Sequence, residues 1–168
     1  MSVEPNEDLP VLRAALARID AWFAVHRPHY SAALHPGATV AELAALERAL
    51  GLPLPAALHE LLAWHNGQSA DFAGCFVEHW FLMSCENIRL AYAETTGWIP
   101  FLDNDAGDYL CLDAARTPCP VRAFYLSEFE QPIVAPSLAS WMQAFADDLE
   151  AGHYVEDPER GDLMRKQI

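Results

Sequence analysis

The chain has 168 residues, 52% of them apolar, and a formal charge of −14 that comes from 24 acidic and 10 basic side chains. A chain of this length can bury about 70% of its unfolded surface in one core, so a single domain is the default expectation. The excess of negative charge argues against sequence-independent binding to nucleic acid or to an anionic membrane, because both need a cationic face. A basic protein partner, by contrast, would be attracted to this chain.

Cysteine usage and the N-terminal residues predict a cytoplasmic protein. The four cysteines have no Cys-x-x-Cys spacing and no compact disulfide framework. The start of the chain, Met1 to Pro5, is acidic where a secretory signal would be basic and then apolar. No apolar run approaches the roughly 20 residues that span a bilayer. We therefore predict free thiols in a reducing cytoplasm and no membrane role.

The chain is predicted to start with a polar leader over Met1 to Asp8, followed by an amphipathic helix. Apolar residues recur with helical spacing from Leu9 to Phe23. The helix is predicted to end before Pro28, because proline disfavours helical continuation. The next segment, His29 to Gly37, is predicted to be a connector.

Two more helices are predicted before the middle of the chain. Thr39 and Glu42 have the spacing of a capping box, and the apolar stripe behind them predicts a helix that ends at Gly51. Pro55 suits the first turn of a third helix, which is predicted to continue to Trp64.

The stretch from Trp98 to Asp113 has two short apolar runs around a polar tract, which predicts a strand, a tight acidic turn and a second strand. Asn104 or Gly107 is expected to take a positive φ in that turn. Before it, an interrupted strand at 75–82 is expected to lead into a helix that Ser84 caps.

Strands and a final helix are predicted after this hairpin. Val121 to Leu126 and Gln131 to Ala135 are typical of strands, and Ser137 begins an apolar helical stripe that Gly152 closes. No structure is predicted for the tail from His153 onward. Helices, then hairpin-connected strands, then a helix indicate an α+β fold: one domain with a mainly antiparallel sheet flanked by helices.

Acidic residues gather in the second half of the chain. Five acids and no base lie between Arg89 and Arg116, and eight acids and no base lie between Arg122 and Arg160. Solubility is the simplest explanation of this charge. The alternative is a docking surface, because carboxylates on a rigid hairpin can pair with arginine or lysine of a partner.

No motif of catalysis or metal binding is convincing. The turn carboxylates Asp103, Asp105 and Asp108 suggest calcium, but a calcium loop that started at Asp103 would lack the glycine at its sixth position and the glutamate at its twelfth. The zinc candidates lack the close paired spacing of structural zinc sites; they are His65, Cys75, His79 and Cys85. Four tryptophans are predicted to be core residues, with a role for one of them in lining a groove as the alternative; they are Trp64, Trp80, Trp98 and Trp141.

Several short motifs resemble the SMI1/KNR4 (SUKH) family. The resemblance covers about residues 35 to 154, and each motif is weak alone, so the order and number of the motifs carry it. They are Pro36-Gly37-Ala38-Thr39, Leu50-Gly51-Leu52-Pro53-Leu54-Pro55, Leu61-Leu62 before His65-Asn66-Gly67-Gln68, Leu82-Met83-Ser84, Trp98-Ile99-Pro100-Phe101, Gly107-Asp108-Tyr109-Leu110-Cys111-Leu112-Asp113 and Ala135-Pro136-Ser137 before Trp141.

The resemblance implies an α+β fold and a non-enzymatic, protein-binding role without cofactors or metals. Bacterial members of the family look like immunity proteins that neutralise toxins, many of them nucleases, and fungal relatives act in regulating cell-wall synthesis. We therefore expect an immunity protein of the bacterial branch that binds a basic toxin domain. A housekeeping regulator or scaffold is the alternative, and a metal-dependent hydrolase is a remote one.

The expected domain organisation and binding surface follow from these considerations. We expect an N-terminal helical extension over residues 1–30, a family-like domain over 31–155 and a polar tail over 156–168. The acidic hairpin and the acid-rich segment after it are the expected partner surface. Its candidate residues are Trp98, Asp103, Asp105, Asp108, Glu128 and Glu130.

Overall fold

Four helices form the first half of the protein in a computed structural model that describes residues 8–167. They are α1 (Asp8–His26), α2 (Pro28–Ala33), α3 (Val40–Leu50) and α4 (Ala56–Trp64). Residues 1–7 of the predicted polar leader lie outside the described part. No helix among residues 8–167 is both long enough and apolar enough to cross a membrane.

The ends of these helices confirm most of the local predictions. The Thr39 hydroxyl accepts a hydrogen bond from the Glu42 amide, and the Glu42 carboxylate accepts one from the Thr39 amide, both at 3.1 Å. Gly51 ends α3 with a φ of 73°. The prediction of a connector directly after the first helix was wrong, because Pro28 begins α2. The fixed φ of proline suits the first turn of a helix, and Tyr30 in that turn is fully buried.

The second half of the protein builds a five-stranded antiparallel sheet whose strands lie in chain order. They are β1 (Phe81–Leu82), β2 (Ile99–Asp103), β3 (Tyr109–Leu112), β4 (Val121–Phe124) and β5 (Ile133–Ala135). Helix α5 (Cys85–Ala91) and a 3₁₀ turn (Tyr92–Glu94) connect β1 to β2, and α6 (Leu138–Glu150) follows β5. The predicted single α+β domain is confirmed.

Helices α1 and α6 pack along each other and form the centre of the core. Phe23 of α1 meets Phe145 of α6 and Phe76 edge to face, with ring centres 6.3 Å and 5.7 Å apart. Trp141 of α6 meets Phe101 of β2 at 6.2 Å. The sheet is therefore joined to the helical half through α6.

The tail forms a hairpin, so the prediction of no structure from His153 onward was wrong. Strands β6 (Tyr154–Glu156) and β7 (Leu163–Arg165) pair antiparallel. Tyr154 and Leu163 are buried, and this burial offsets the entropy of ordering the hairpin. Three-residue strands are too short to show an alternating pattern in the sequence.

A buried arginine ties this hairpin to the N-terminal helices. Arg27 has no exposed surface, and its guanidinium donates to the carbonyl oxygens of Cys75, Phe76 and Gly161 at 2.6–3.0 Å. It also donates to the Glu156 carboxylate of β6 at 2.8 Å. Each of the three guanidinium nitrogens therefore has at least one acceptor, which is what allows a charge to be buried.

Candidate functional site

The acidic turn, residues 103–108, is a rigid connection between β2 and β3. The Asn104 side chain organises it: its oxygen accepts from the amides of Ala106 and Asp108 at 2.9 Å and 3.0 Å. The Asp103 carboxylate accepts from the Asp105 amide at 2.9 Å. Gly107 takes the positive φ that was predicted, and Asp105 takes one as well, while Asn104 does not. Its side chain caps the turn instead.

Asp108 connects the acidic turn to the loop between β4 and β5. One oxygen of its carboxylate accepts from the Asn104 amide group at 2.9 Å, and the other accepts from the Leu126 backbone amide at 3.0 Å. Gly107 permits this close approach, because a Cβ there would lie 2.8 Å from a methyl carbon of Leu126. The structure therefore brings the two acidic segments together, and Asp108 serves as their joint.

The Phe129 loop, residues 125–131, is held by one glutamine. The Gln131 side chain accepts from the Tyr125 amide at 2.6 Å and donates to the carbonyls of Tyr125 and Glu128, each at 3.0 Å. Phe129 is fully exposed at the end of this loop, and both Glu128 and Glu130 beside it are exposed. A loop fixed in this way presents its aromatic side chain at a low entropic cost for binding.

The two segments together form an unneutralised acidic surface. Within residues 8–167, no basic side chain forms an ion pair with the carboxylates of this surface, which are Asp103, Asp105, Asp108, Glu128 and Glu130. Burial raises the pKa of Asp103 by more than the hydrogen bond from the Asp105 amide lowers it. The surface can therefore attract a cationic partner and gain charge-assisted hydrogen bonds on binding.

Trp98 lies apart from the acidic surface. It precedes β2, whereas Asp103 ends that strand, which places the two about 16 Å apart along the strand. Its ring lies under the Arg122 guanidinium, whose carbon is 4.8 Å from the ring centre. Arg122 in turn donates to the Asp113 carboxylate at 2.9 Å. The binding role predicted for Trp98 stays a prediction, and the contact that the structure shows for its ring is the one with Arg122.

Phe129 is the residue that the sequence analysis missed. Its signal in the sequence is a single aromatic side chain between two glutamates, in the short segment between the strands predicted at Val121–Leu126 and Gln131–Ala135. Its exposure follows from the contacts of Gln131 with backbone groups three and six residues earlier in the chain, and those contacts leave no periodic pattern.

Two of the cysteines considered as zinc ligands have thiols that burial keeps protonated. Burial raises the pKa of Cys75 to about 12 and that of Cys85 to about 11, so little thiolate is present at neutral pH. Cys75 donates to the carbonyl of Glu78, and the His79 ring lies against that of Trp80, with ring centres 4.5 Å apart. Among residues 8–167, no group of three or more histidine, cysteine, aspartate or glutamate side chains is placed to hold a metal ion.

The comparison with known families agrees with the fold. Residues 37–144 match the model of the SMI1 / KNR4 family (SUKH-1). The matched segment includes the acidic turn and the Phe129 loop. No curated protein matches the chain at a significant level. Since the family match covers well over half of the chain, this protein belongs to the SMI1/KNR4 family (SUKH-1).

Proposed function

We propose that this protein is an immunity protein: a non-enzymatic binding module that neutralises a basic toxin domain by covering it. The observation that carries the proposal is the fully exposed Phe129, held on a fixed loop between two exposed glutamates and beside the acidic turn. The family supports it, since SUKH domains are often immunity proteins and are generally non-catalytic.

In the proposed interface, one aromatic side chain and the charges around it have different roles. Asp105, Glu128 and Glu130 attract the partner and speed association. Phe129 enters a pocket on the partner and contributes most of the binding energy, as buried aromatic side chains do in interfaces. Asp103 and Asp108 hold the surface in shape. We also propose a cytoplasmic location, which the four free cysteines support.

The test begins with affinity capture of partners from the lysate of the source cells, at low and at physiological salt, with identification by mass spectrometry. We expect a basic protein that is held less tightly as the salt concentration rises. Its toxicity should be suppressed when the wild-type chain is co-expressed with it. Recovery of cell-wall synthesis factors alone would contradict the immunity role and favour a regulator.

Variants then locate the interface. Phe129→Ala should weaken binding about 30-fold or more, the effect of losing an aromatic hot spot. Leu90→Ala, which truncates an exposed side chain on α5, is the control and should bind like the wild type.

The charges are tested in the same way. Glu128→Gln with Glu130→Gln should slow association, whereas the matched loss of two charges at Asp71 and Glu159 should have a smaller effect. Unchanged binding by the Phe129 variant would remove this loop from the interface.

A further inference from the structure

A groove of about 380 Å³ lies between α6, the turn at Val77–Trp80 and the sheet. Its walls carry four aromatic side chains, and Leu110 and Phe145 are buried at its base. The four on the walls are Trp80, Tyr125, Trp141 and Tyr154, and Phe145 is a further aromatic residue that lines the groove. Two of the tryptophans predicted as core residues therefore also line a groove.

The polar side chains at the rim of the groove surround a guanidinium. Arg165, from β7, lies with its guanidinium carbon 4.8 Å from the centre of the Tyr154 ring. It donates to the Asp148 carboxylate at 2.8 Å and to the Tyr154 hydroxyl at 3.0 Å, and its Nε lies 3.8 Å from the Glu78 carboxylate. An aromatic face with two carboxylates is an arrangement that suits arginine.

We propose that this rim is an arginine-binding site, which Arg165 of the chain itself occupies and which an arginine of the basic partner takes over on binding. The side chain of Arg165 is half exposed, so solvent and a partner can reach it. Exposed ion pairs and cation–π contacts are individually weak, so the exchange of one guanidinium for another costs little.

The position of the groove connects it to the surface proposed above. Tyr125 lines the groove and also begins the Phe129 loop. A partner whose pocket covers Phe129 would therefore lie beside the groove, and we expect a neighbouring side chain of that partner to extend to the rim. This inference rests on the proposed function and deepens it, because it names a side chain that the partner contributes.

The experiment measures whether removal of the Arg165 side chain lets the rim bind an added arginine side chain more tightly. The probe is the capped tripeptide acetyl-Gly-Arg-Gly-amide, titrated into the full chain while the indole N–H signals of Trp80 and Trp141 are followed by NMR. Arg165→Ala should bind the probe about three- to tenfold more tightly than the wild type, because the internal competitor is gone. Arg165→Gln, which keeps most of the side-chain stem, should change affinity in the same direction.

The matched control is Arg160→Ala, which removes the same charge from the same hairpin at a residue that pairs with Asp162 outside the groove. It should bind the probe like the wild type. Asp148→Asn should weaken binding. Equal or weaker binding by both Arg165 variants would overturn the proposal. Loss of partner capture by the Phe129 variant, together with such a result, would leave the proposed function standing and reject only the arginine site.

Discussion

Replacement of Arg27 by methionine tests the most buried charge of the protein. Methionine keeps an unbranched side chain of similar length but removes every donor. Three carbonyl oxygens, those of Cys75, Phe76 and Gly161, then lose a hydrogen bond, and the Glu156 carboxylate loses its cation. Each buried acceptor left without a partner costs about 1–3 kcal/mol, and breaking a buried ion pair on one side costs about 3–5 kcal/mol.

The lower end of the first range gives about 3 kcal/mol for the three carbonyls, and the partly exposed Glu156 adds only about 1 kcal/mol, so we expect the free energy of unfolding to fall by about 4 kcal/mol. Urea unfolding, followed by tryptophan fluorescence, measures it. The control is Arg160→Met, where an exposed arginine with one long ion pair should change stability by about 0.5 kcal/mol or less. A decrease in the free energy of unfolding of less than about 1 kcal/mol for the Arg27 variant would show that the hydrogen bonds of Arg27 do not hold the hairpin.

Two further predictions concern the helical half. His65 is hydrogen-bonded through both ring nitrogens, to Asp20 at 2.9 Å and to the backbone carbonyl of His35 at 2.7 Å. Burial alone would lower the pKa of His65, but these hydrogen bonds outweigh burial and raise the pKa above its usual value of 6.5. A raised folded pKa stabilises the protein below the unfolded pKa and ceases to do so as pH rises through the folded value. The free energy of unfolding, measured with urea, should therefore be lower at pH 8 than at pH 6. Asp20→Asn should reduce this difference, and an equal difference in the variant would contradict the role of the Asp20–His65 pair. Gly51 and Gly67 both have a φ near 75°, but only at Gly67 would a Cβ lie 2.6 Å from a backbone atom, the nitrogen of Ser84. Gly67→Ala should therefore lower the free energy of unfolding by about 1–3 kcal/mol more than Gly51→Ala does. Equal losses in thermal unfolding would contradict this.

The sequence predicted the parts of the fold that depend on neighbours in the chain. The capping box of Thr39 spans three residues, and the apolar stripe of α6 repeats within four, so both are visible in a short window. The hairpin β2–β3 was predicted for the same reason. By contrast, α2 and the hairpin β6–β7 are too short for a pattern, and they are ordered by burial against distant elements.

The candidate site, too, has parts that the sequence predicts and parts that it does not. The acidic turn was visible because its three carboxylates lie within six residues of one another in the sequence. Its connection to the Phe129 loop was not, because Asp108 and Leu126 are 18 positions apart. The role of Arg27 was hidden as well: two of the carbonyls that it binds lie 48 and 134 positions away, so the sequence shows only an arginine before a proline.

The family match and the structure together divide the proposed surface into two parts. The acidic turn and the Phe129 loop lie within the matched residues 37–144, whereas Arg165 and Tyr154 lie outside them. Arg27 helps to hold the hairpin β6–β7, and with it this second pair, against the N-terminal helices. A partner that uses both parts is therefore recognised in part by elements that the family pattern does not include. In that arrangement, loss of the Arg27 contacts would weaken binding at the groove while leaving the Phe129 loop, which Gln131 holds locally, in place.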